Sequence, residues 1–359
     1  SNPNLKWETT KQLNFGLDFG LWKNRVTGTL DIYDKQTDDL LLNQPLGPSS
    51  GFTSLLVNRG SINNKGVELT LSGTLINKND FSIDLGGNIA FNKSKIQNLG
   101  GSSEDIYING TLENRVFYRG QNISTGNYFR APANIFMEGE QIGLFYGYET
   151  DGIYQTEDDI TVSGAQAGDV RIVDQDGDDT ITEADRTLIG NPNPDFVYGG
   201  YLNMNYKRLS LSVQINGVYG NEIVNGNLIQ LGTAEGRTAN VLSEAYNNAW
   251  RPDAQSNSYP RVGYLGESGS PAITDRIIED GSFLRISNIT LGYDIPVEKT
   301  NVFSSANVYV SGMNLFTFTD YSGYNPEITN FMNNGNVVGV DWNGFPNAQT
   351  IMLGLNLKF

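Results

Sequence analysis

The feature that most constrains the fold of this chain is an alternation of apolar and polar side chains that returns in segment after segment. Residues 351–359 show it most clearly, with large apolar side chains at every odd position and mostly small or polar ones between. A period of two sends successive side chains to opposite faces of a β-strand. Each such segment therefore predicts a strand with one apolar and one polar face. No apolar run approaches the ~18 residues that a transmembrane helix needs.

Nine segments of this kind predict about nine strands. They lie at residues 13–21, 26–32, 67–75, 81–91, 196–206, 209–219, 289–295, 306–318 and 351–359. The connections alternate between short turns and long ones, the longest being residues 99–193, 221–281 and 320–345. Transmembrane barrels have short periplasmic turns and longer extracellular loops. The sequence therefore predicts an all-β fold, an antiparallel transmembrane β-barrel segment in the outer membrane, with its long loops extracellular and its C-terminus periplasmic.

The predicted strand number implies a larger barrel. Counting nine strands back from a periplasmic C-terminus puts the first residue outside the cell. Single-chain bacterial barrels have an even number of strands. We therefore expect residues 1–359 to form the C-terminal section of a barrel whose other strands lie upstream, in the same polypeptide or in a separate one.

Composition excludes several other classes of function. The formal net charge of -16 argues against binding nucleic acid, which requires basic patches. The chain has no His and no Cys, so a Ser-His-Asp triad, a thiolate nucleophile and imidazole-bound zinc or iron are impossible. Catalysis by two carboxylates remains chemically open. With 40 Asp and Glu residues, however, two neighbouring carboxylates would mean little, and we do not predict an enzyme.

One loop, residues 174–185, has the oxygen-donor register of a calcium-binding EF-hand loop. Donors at positions 1, 3, 5, 7, 9 and 12 are the side chains of Asp174, Asp176 and Asp178, the Thr180 carbonyl, and the side chains of Thr182 and Asp185. The loop departs from that pattern at position 6, where Asp179 replaces the usual Gly, and at position 12, where Asp replaces Glu. A solvated acidic turn is the alternative interpretation. We predict structural Ca²⁺ binding here.

Several motifs together resemble the SusC/RagA family of TonB-linked outer-membrane proteins of Bacteroidetes. They are residues 2–8, 58–68, 168–174, 186–192, 283–293 and 310–316, together with the acidic loop. The resemblance covers essentially the whole chain and corresponds to the C-terminal part of the family's barrel.

This resemblance implies a plugged barrel of about 22 strands that imports nutrients, typically glycans or peptides. It also implies three partners: the TonB complex, which supplies energy, a SusD-like surface lipoprotein over the extracellular loops, and the upstream barrel and plug segment. The plug and the TonB-contacting segment belong to the family's N-terminal half, so this chain alone is not expected to transport. Residues 174–185 match the family's Asp-rich, calcium-like loop.

Other hypotheses stay open at this point. A secreted calcium-dependent β-sandwich that binds glycans predicts an apolar core between two sheets. A carboxylate-dependent glycosidase predicts a cleft with paired carboxylates. A barrel fragment that is a client of the outer-membrane insertion or export machinery, or a product of proteolysis, would have the same sequence features. The transported substrate cannot be inferred from these residues.

Overall fold

The computed structural model describes residues 3, 5–45, 51, 54–124, 130–232, 240–264, 273–297, 302–328, 337–342 and 344–359. The strands are β1 (Thr9–Leu21), β2 (Val26–Asp38), β3 (Leu41–Pro45), β4 (Ser54–Asn58), β5 (Ser61–Lys78), β6 (Phe81–Asn98), β7 (Glu104–Ile108), β8 (Thr111–Arg115), β9 (Phe117–Arg119), β10 (Asn122–Ser124), β11 (Arg130–Pro132), β12 (Asn134–Met137), β13 (Leu144–Tyr148), β14 (Thr150–Ile153), β15 (Val170–Ile172), β16 (Arg186–Gly190), β17 (Phe196–Tyr206), β18 (Leu209–Tyr219), β19 (Glu222–Asn225), β20 (Ile278–Asp280), β21 (Phe283–Ile295), β22 (Ser305–Thr319), β23 (Val340–Asp341) and β24 (Thr350–Lys358). The helices are α1 (Asn227–Leu231), α2 (Ser243–Asn247) and three 3-10 turns at Glu157–Asp159, Glu183–Asp185 and Asp275–Ile277. None of the helices in these ranges is long and apolar enough to cross a membrane.

One antiparallel sheet of nine strands dominates the fold, in the order β1-β2-β5-β6-β17-β18-β21-β22-β24. Every strand pairs with the one before it in this order, which confirms the predicted all-β fold and the predicted nine strands. Some strands are longer than predicted; β5, for example, begins at Ser61 rather than at Val67. Its first residues include Asn63, Asn64 and Lys65, which are polar on both faces, so the alternation is not visible there.

The pairing register brings the apolar residues of all nine strands to one face. Leu17 pairs with Leu30, Leu30 with Leu69, and Leu69 with Ile89. This face is uncovered in the described part of the chain: Leu13 is 76% exposed and Ile351 77% exposed. A second sheet packed on this face would bury these side chains. The β-sandwich hypothesis is therefore wrong.

Aromatic side chains mark both ends of the apolar face. At the end with the short turns, Phe81 and Tyr206 meet edge to face with ring centroids 6.1 Å apart. At the end with the long connections, Phe196 lies 5.5 Å from Phe91 and stacks on Tyr219 at 5.0 Å. Phe81 and Phe91 are ten positions apart on β6, about 33 Å along a strand. At the tilt usual in membrane barrels this gives a band about 25 Å tall, the height of the apolar band in such barrels.

The three longest connections fold together at one end of the sheet into what we call the long-segment body: the described parts of residues 99–193, 221–281 and 320–345. It contains a four-stranded sheet (β16-β13-β12-β9), a three-stranded sheet (β20-β19-β23) and small hairpins. Its main core draws buried residues from all three segments, among them Phe145, Val224 and Val340. The predicted loops are therefore structured, and their strands escaped prediction because most have only three to five residues.

Hydrogen bonds join each pair of these segments. Asn134 donates from Nδ2 to the Val338 carbonyl at 3.0 Å and accepts the Val338 N–H at 3.1 Å. The Thr150 hydroxyl donates to Asp275 at 2.6 Å. The third link is the parallel pairing of β19 with β23. The body is thus one packed unit rather than three separate loops.

Candidate calcium site and family

The acidic loop connects β15 to β16, and its backbone turns sharply at the position where a glycine is usual. Asp179 adopts a left-handed conformation with φ +61°, and Gly177 does so with φ +75°. This conformation lets the Asp179 N–H donate to Asp174 Oδ2 at 2.8 Å, while the Gly177 N–H donates to Oδ1 at 2.7 Å. Asp tolerates the left-handed region better than most residues. The departure from glycine at position 6 is therefore compatible with the loop geometry.

Three of the predicted ligands come together. Asp174, Asp176 and Asp185 each offer a carboxylate oxygen, and these oxygens lie within 4.8 Å of one another. Asp185 is fully buried and accepts the N–H groups of Gln175 at 2.8 Å and Thr182 at 2.6 Å. The burial of a carboxylate at position 12 thus fixes both ends of the loop.

The other predicted ligands are not part of this group. Asp178 is exposed, and its Oδ1 accepts the N–H of Thr180 at 2.8 Å. The Thr182 hydroxyl accepts the Ala184 N–H at 3.1 Å and so caps the 3-10 turn that ends at Asp185. Asp178, Thr180 and Thr182 thus take part in hydrogen bonds with the backbone of the loop itself.

The carboxylates have opposite pKa shifts. Burial raises the pKa of Asp176, and the nearby charges of Asp178 and Asp185 raise it further. Burial also acts to raise the pKa of Asp174, but the N–H groups of Asp179 and Gly177 outweigh it and lower the pKa. Negative charge is thus concentrated among oxygen ligands, which is the donor chemistry that a hard divalent cation prefers. The residues present fit Ca²⁺.

An apolar contact by the residue at position 8 of the loop anchors it to the rest of the body. Ile181 packs against a small cluster formed by Val170, Ile172 and Tyr264. This cluster joins the loop to a segment about eighty residues further along the chain. Formation of the loop is therefore coupled to packing of the long-segment body.

Arg186, the residue directly after the loop, was not identified as important from the sequence. Arg186 is 2% exposed, and its side chain donates through Nη2 to the carbonyls of Pro132 at 2.6 Å and Tyr146 at 2.7 Å. The guanidinium also lies over the Tyr146 ring, 4.6 Å from its centroid. Nothing in the local sequence distinguishes a buried arginine from an exposed one. The two carbonyls that it binds lie 54 and 40 positions away along the chain.

Comparison with known proteins agrees with this fold. A family model described as TonB dependent receptor-like, beta-barrel matches residues 1–315. TonB-dependent receptor P3 of Formosa agariphila is 36% identical over all of this chain and 35% of its own length. TonB-dependent receptor SusC of Bacteroides thetaiotaomicron is 31% identical over all of this chain and 32% of its own length. A solved structure, titled Structure of the RagAB peptide transporter, superimposes with TM-score 0.78 at 28% identity, covering all of this chain and 36% of that one.

The nine-stranded sheet and these matches define the chain as a section of an outer-membrane β-barrel. It belongs to the TonB-dependent receptor family, and its relatives there are of the SusC/RagA type. The chain spans about a third of the length of these relatives. The relatives are named as receptors and transporters, and none of these names describes an enzyme.

Proposed function

We propose that this chain is the C-terminal barrel section of a TonB-dependent importer of glycans or peptides that works with a SusD-like surface lipoprotein. The observation that carries this proposal is the continuous apolar face of the nine-stranded sheet, framed by aromatic side chains about 25 Å apart. The opposite face pairs polar residues across the same strands, such as Thr29 with Thr70 and Thr70 with Asn88. Such a wall separates lipid from a polar interior.

In this proposal the long-segment body is extracellular and the C-terminus is periplasmic. The difference between the short turns and the long connections supports this orientation. The body contributes to the extracellular mouth and presents the surface to which the lipoprotein binds. One RagAB structure is titled a peptide transporter. This title supports a role in import, but it does not decide between peptides and glycans as the substrate of this protein.

The remaining barrel strands attach at the two edges of the sheet. Within the described residues, β1 and β24 each pair on one side only. Unpaired backbone groups in hydrocarbon cost several kcal/mol each, so neither edge is stable in a membrane by itself. We propose that upstream strands of the same protein pair with both edges and that its plug fills the interior. The TonB complex acts through that upstream part.

Ca²⁺ bound by the loop 174–185 would have a structural role. Asp174, Asp176 and Asp185 are the proposed primary ligands. Asp178, Thr180 and Thr182 complete the predicted donor set, because Ca²⁺ takes six to eight oxygens. A bound ion would neutralise the carboxylates and hold the β15–β16 connection against the long-segment body.

Gene deletion and purification together test the importer proposal. Cells lacking the full-length gene are grown on a panel of single glycans and peptides, and we expect growth to fail on one class and return on complementation. The full-length protein, purified from native outer membranes, should bring down a surface lipoprotein in near-equal amount. Unimpaired growth on the whole panel, with no lipoprotein in the purified sample, would contradict the proposal.

A further inference from the structure

A groove of about 580 Å³ lies at the edge of the apolar face, at the end of the sheet near the long-segment body. Its apolar part is formed by the outward-facing side chains of Phe15, Ile32, Val67 and Phe91, which belong to four neighbouring strands. The remaining lining residues are Leu13, Tyr33, Asp34, Lys65, Gly66, Asn92, Lys93, Gln141, Pro194 and Asp195. The groove therefore has an apolar side and a charged side.

The charged side of the groove contains two lysines, Lys65 and Lys93, and two aspartates, Asp34 and Asp195. Lys65 on β5 and Lys93 on β6 lie directly opposite each other in the register, and Lys95 follows on the same face. Like charges placed directly opposite on a sheet are destabilising unless an anion lies between them. Asp34 forms an ion pair with Lys65 at 2.9 Å, whereas no described acidic residue pairs with Lys93 or Lys95. The lining is therefore balanced, with two ammonium groups and two carboxylates, and Lys95 adds a third positive charge beside the groove.

The height of the lysine pair matches the head-group layer of a membrane. Lys93 is two positions beyond Phe91, which belongs to the aromatic group at this end of the apolar face. Two positions correspond to about 7 Å along a strand. The polar layer on each side of the hydrocarbon is roughly 5–8 Å thick. The two lysines are thus placed at the depth of lipid phosphates, with apolar residues directly below them.

We propose that this groove binds a membrane lipid with a phosphorylated head group, from the leaflet at the long-segment end. The phosphate lies between Lys65 and Lys93, and an acyl chain lies along Phe15, Ile32, Val67 and Phe91. A phosphate at this point relieves the repulsion between the two lysines. The inference needs the family's outer-membrane location but not the import function, so either can fail without the other.

Lipid titration of the full-length protein in detergent tests the proposal, with diphosphoryl lipid A as the probe and native mass spectrometry as the readout. A lysine near a charged lipid surface contributes about a factor of five in affinity, so the double variant Lys65→Gln/Lys93→Gln should bind about 30-fold more weakly. Asp34→Asn should bind about fivefold more tightly, because Lys65 loses its competing anion. Phosphatidylcholine, which has no net charge, should bind equally weakly to every variant.

Lys207→Gln is the matched control, since Lys207 is an exposed lysine at the opposite end of the same sheet, beside Tyr206. It should leave lipid A binding unchanged. A heat-dependent shift in gel mobility shows that each variant is folded. Equal lipid A affinity in the wild type and the double variant would overturn the proposal, as would an equal loss of affinity in Lys207→Gln.

Discussion

Arg186 illustrates what a single residue contributes to the long-segment body. Its guanidinium binds two carbonyls from different strands, β11 and β13, and stacks on Tyr146, while Glu183 contributes an ion pair at 3.2 Å from the solvent side. A planar fork with several donors is required for this arrangement. The position could not be predicted from the sequence, because burial here depends on Pro132 and Tyr146, which are remote along the chain.

Replacing Arg186 by lysine should therefore destabilise the body by about 2–3 kcal/mol, because a single ammonium cannot satisfy both carbonyls and stack on the ring. Hydrogen exchange in the full-length protein should show faster exchange in β12, β13 and β16. Arg119→Lys is the control: Arg119 also lies over the Tyr146 ring, at 5.9 Å, but it is exposed. Equal exchange in the two variants would contradict the anchoring role of Arg186.

The acidic loop makes a second prediction at this scale. Asp176→Asn should weaken Ca²⁺ binding at least about tenfold, because it removes a charge from the group of three close carboxylates. Asp178→Asn should have a smaller effect, since this residue is exposed and outside that group. Both affinities can be measured on the full-length protein, with and without chelator, from the calcium-dependent protection of the loop against protease. A larger loss in Asp178→Asn would reverse the proposed order of ligands.

At the scale of elements, alternation was sufficient to find the strands of the large sheet and insufficient elsewhere. Strands such as β17 and β18 are apolar on one face and mostly polar on the other, so their period of two is visible in the sequence. In β12 and β13 most side chains on both faces are buried, including Ile135, Phe145 and Tyr146, so alternation is lost. Short strands buried on both sides cannot be distinguished from irregular structure by periodicity.

The two faces of β5 should respond differently to the same substitution. Leu71 points to the apolar face near mid-height, and its neighbour Thr70 points to the polar face. Leu71→Arg should cost about 2–4 kcal/mol, because it places a charge in hydrocarbon, and Thr70→Arg should cost much less. Both free-energy costs are measured from the folded fraction of each full-length variant after refolding into vesicles. Similar losses for the two variants would mean that this face does not contact lipid.

At the scale of the whole molecule, the sequence predicted the large sheet but not the packing of the long-segment body. The bonds between Asn134 and Val338 span 204 positions, and no local pattern reports such a distance. The acidic loop could be singled out in the sequence because its predicted oxygen donors are close together along the chain. The contact of this loop with Tyr264 could not be predicted, since Tyr264 belongs to another segment.

Orientation in the membrane can be tested by labelling, because the chain has no cysteine of its own. In intact cells that express the full-length protein, an impermeant maleimide should label Asp158→Cys in the long-segment body. It should not label Asn79→Cys in the turn between β5 and β6 until the outer membrane is opened. Both positions are exposed, so accessibility depends on the side of the membrane. Labelling of Asn79→Cys alone in intact cells would invert the proposed topology.

The mutual packing of the three long segments limits how such a protein can diversify. Each segment supplies part of a core that the other two complete, as Phe145, Val224 and Val340 do. Grafting a single segment from a relative would leave unmatched cavities and orphaned hydrogen bonds in its neighbours. The three segments must therefore be inherited, or exchanged by an engineer, together as one unit. The nine-stranded sheet can remain unchanged in such an exchange.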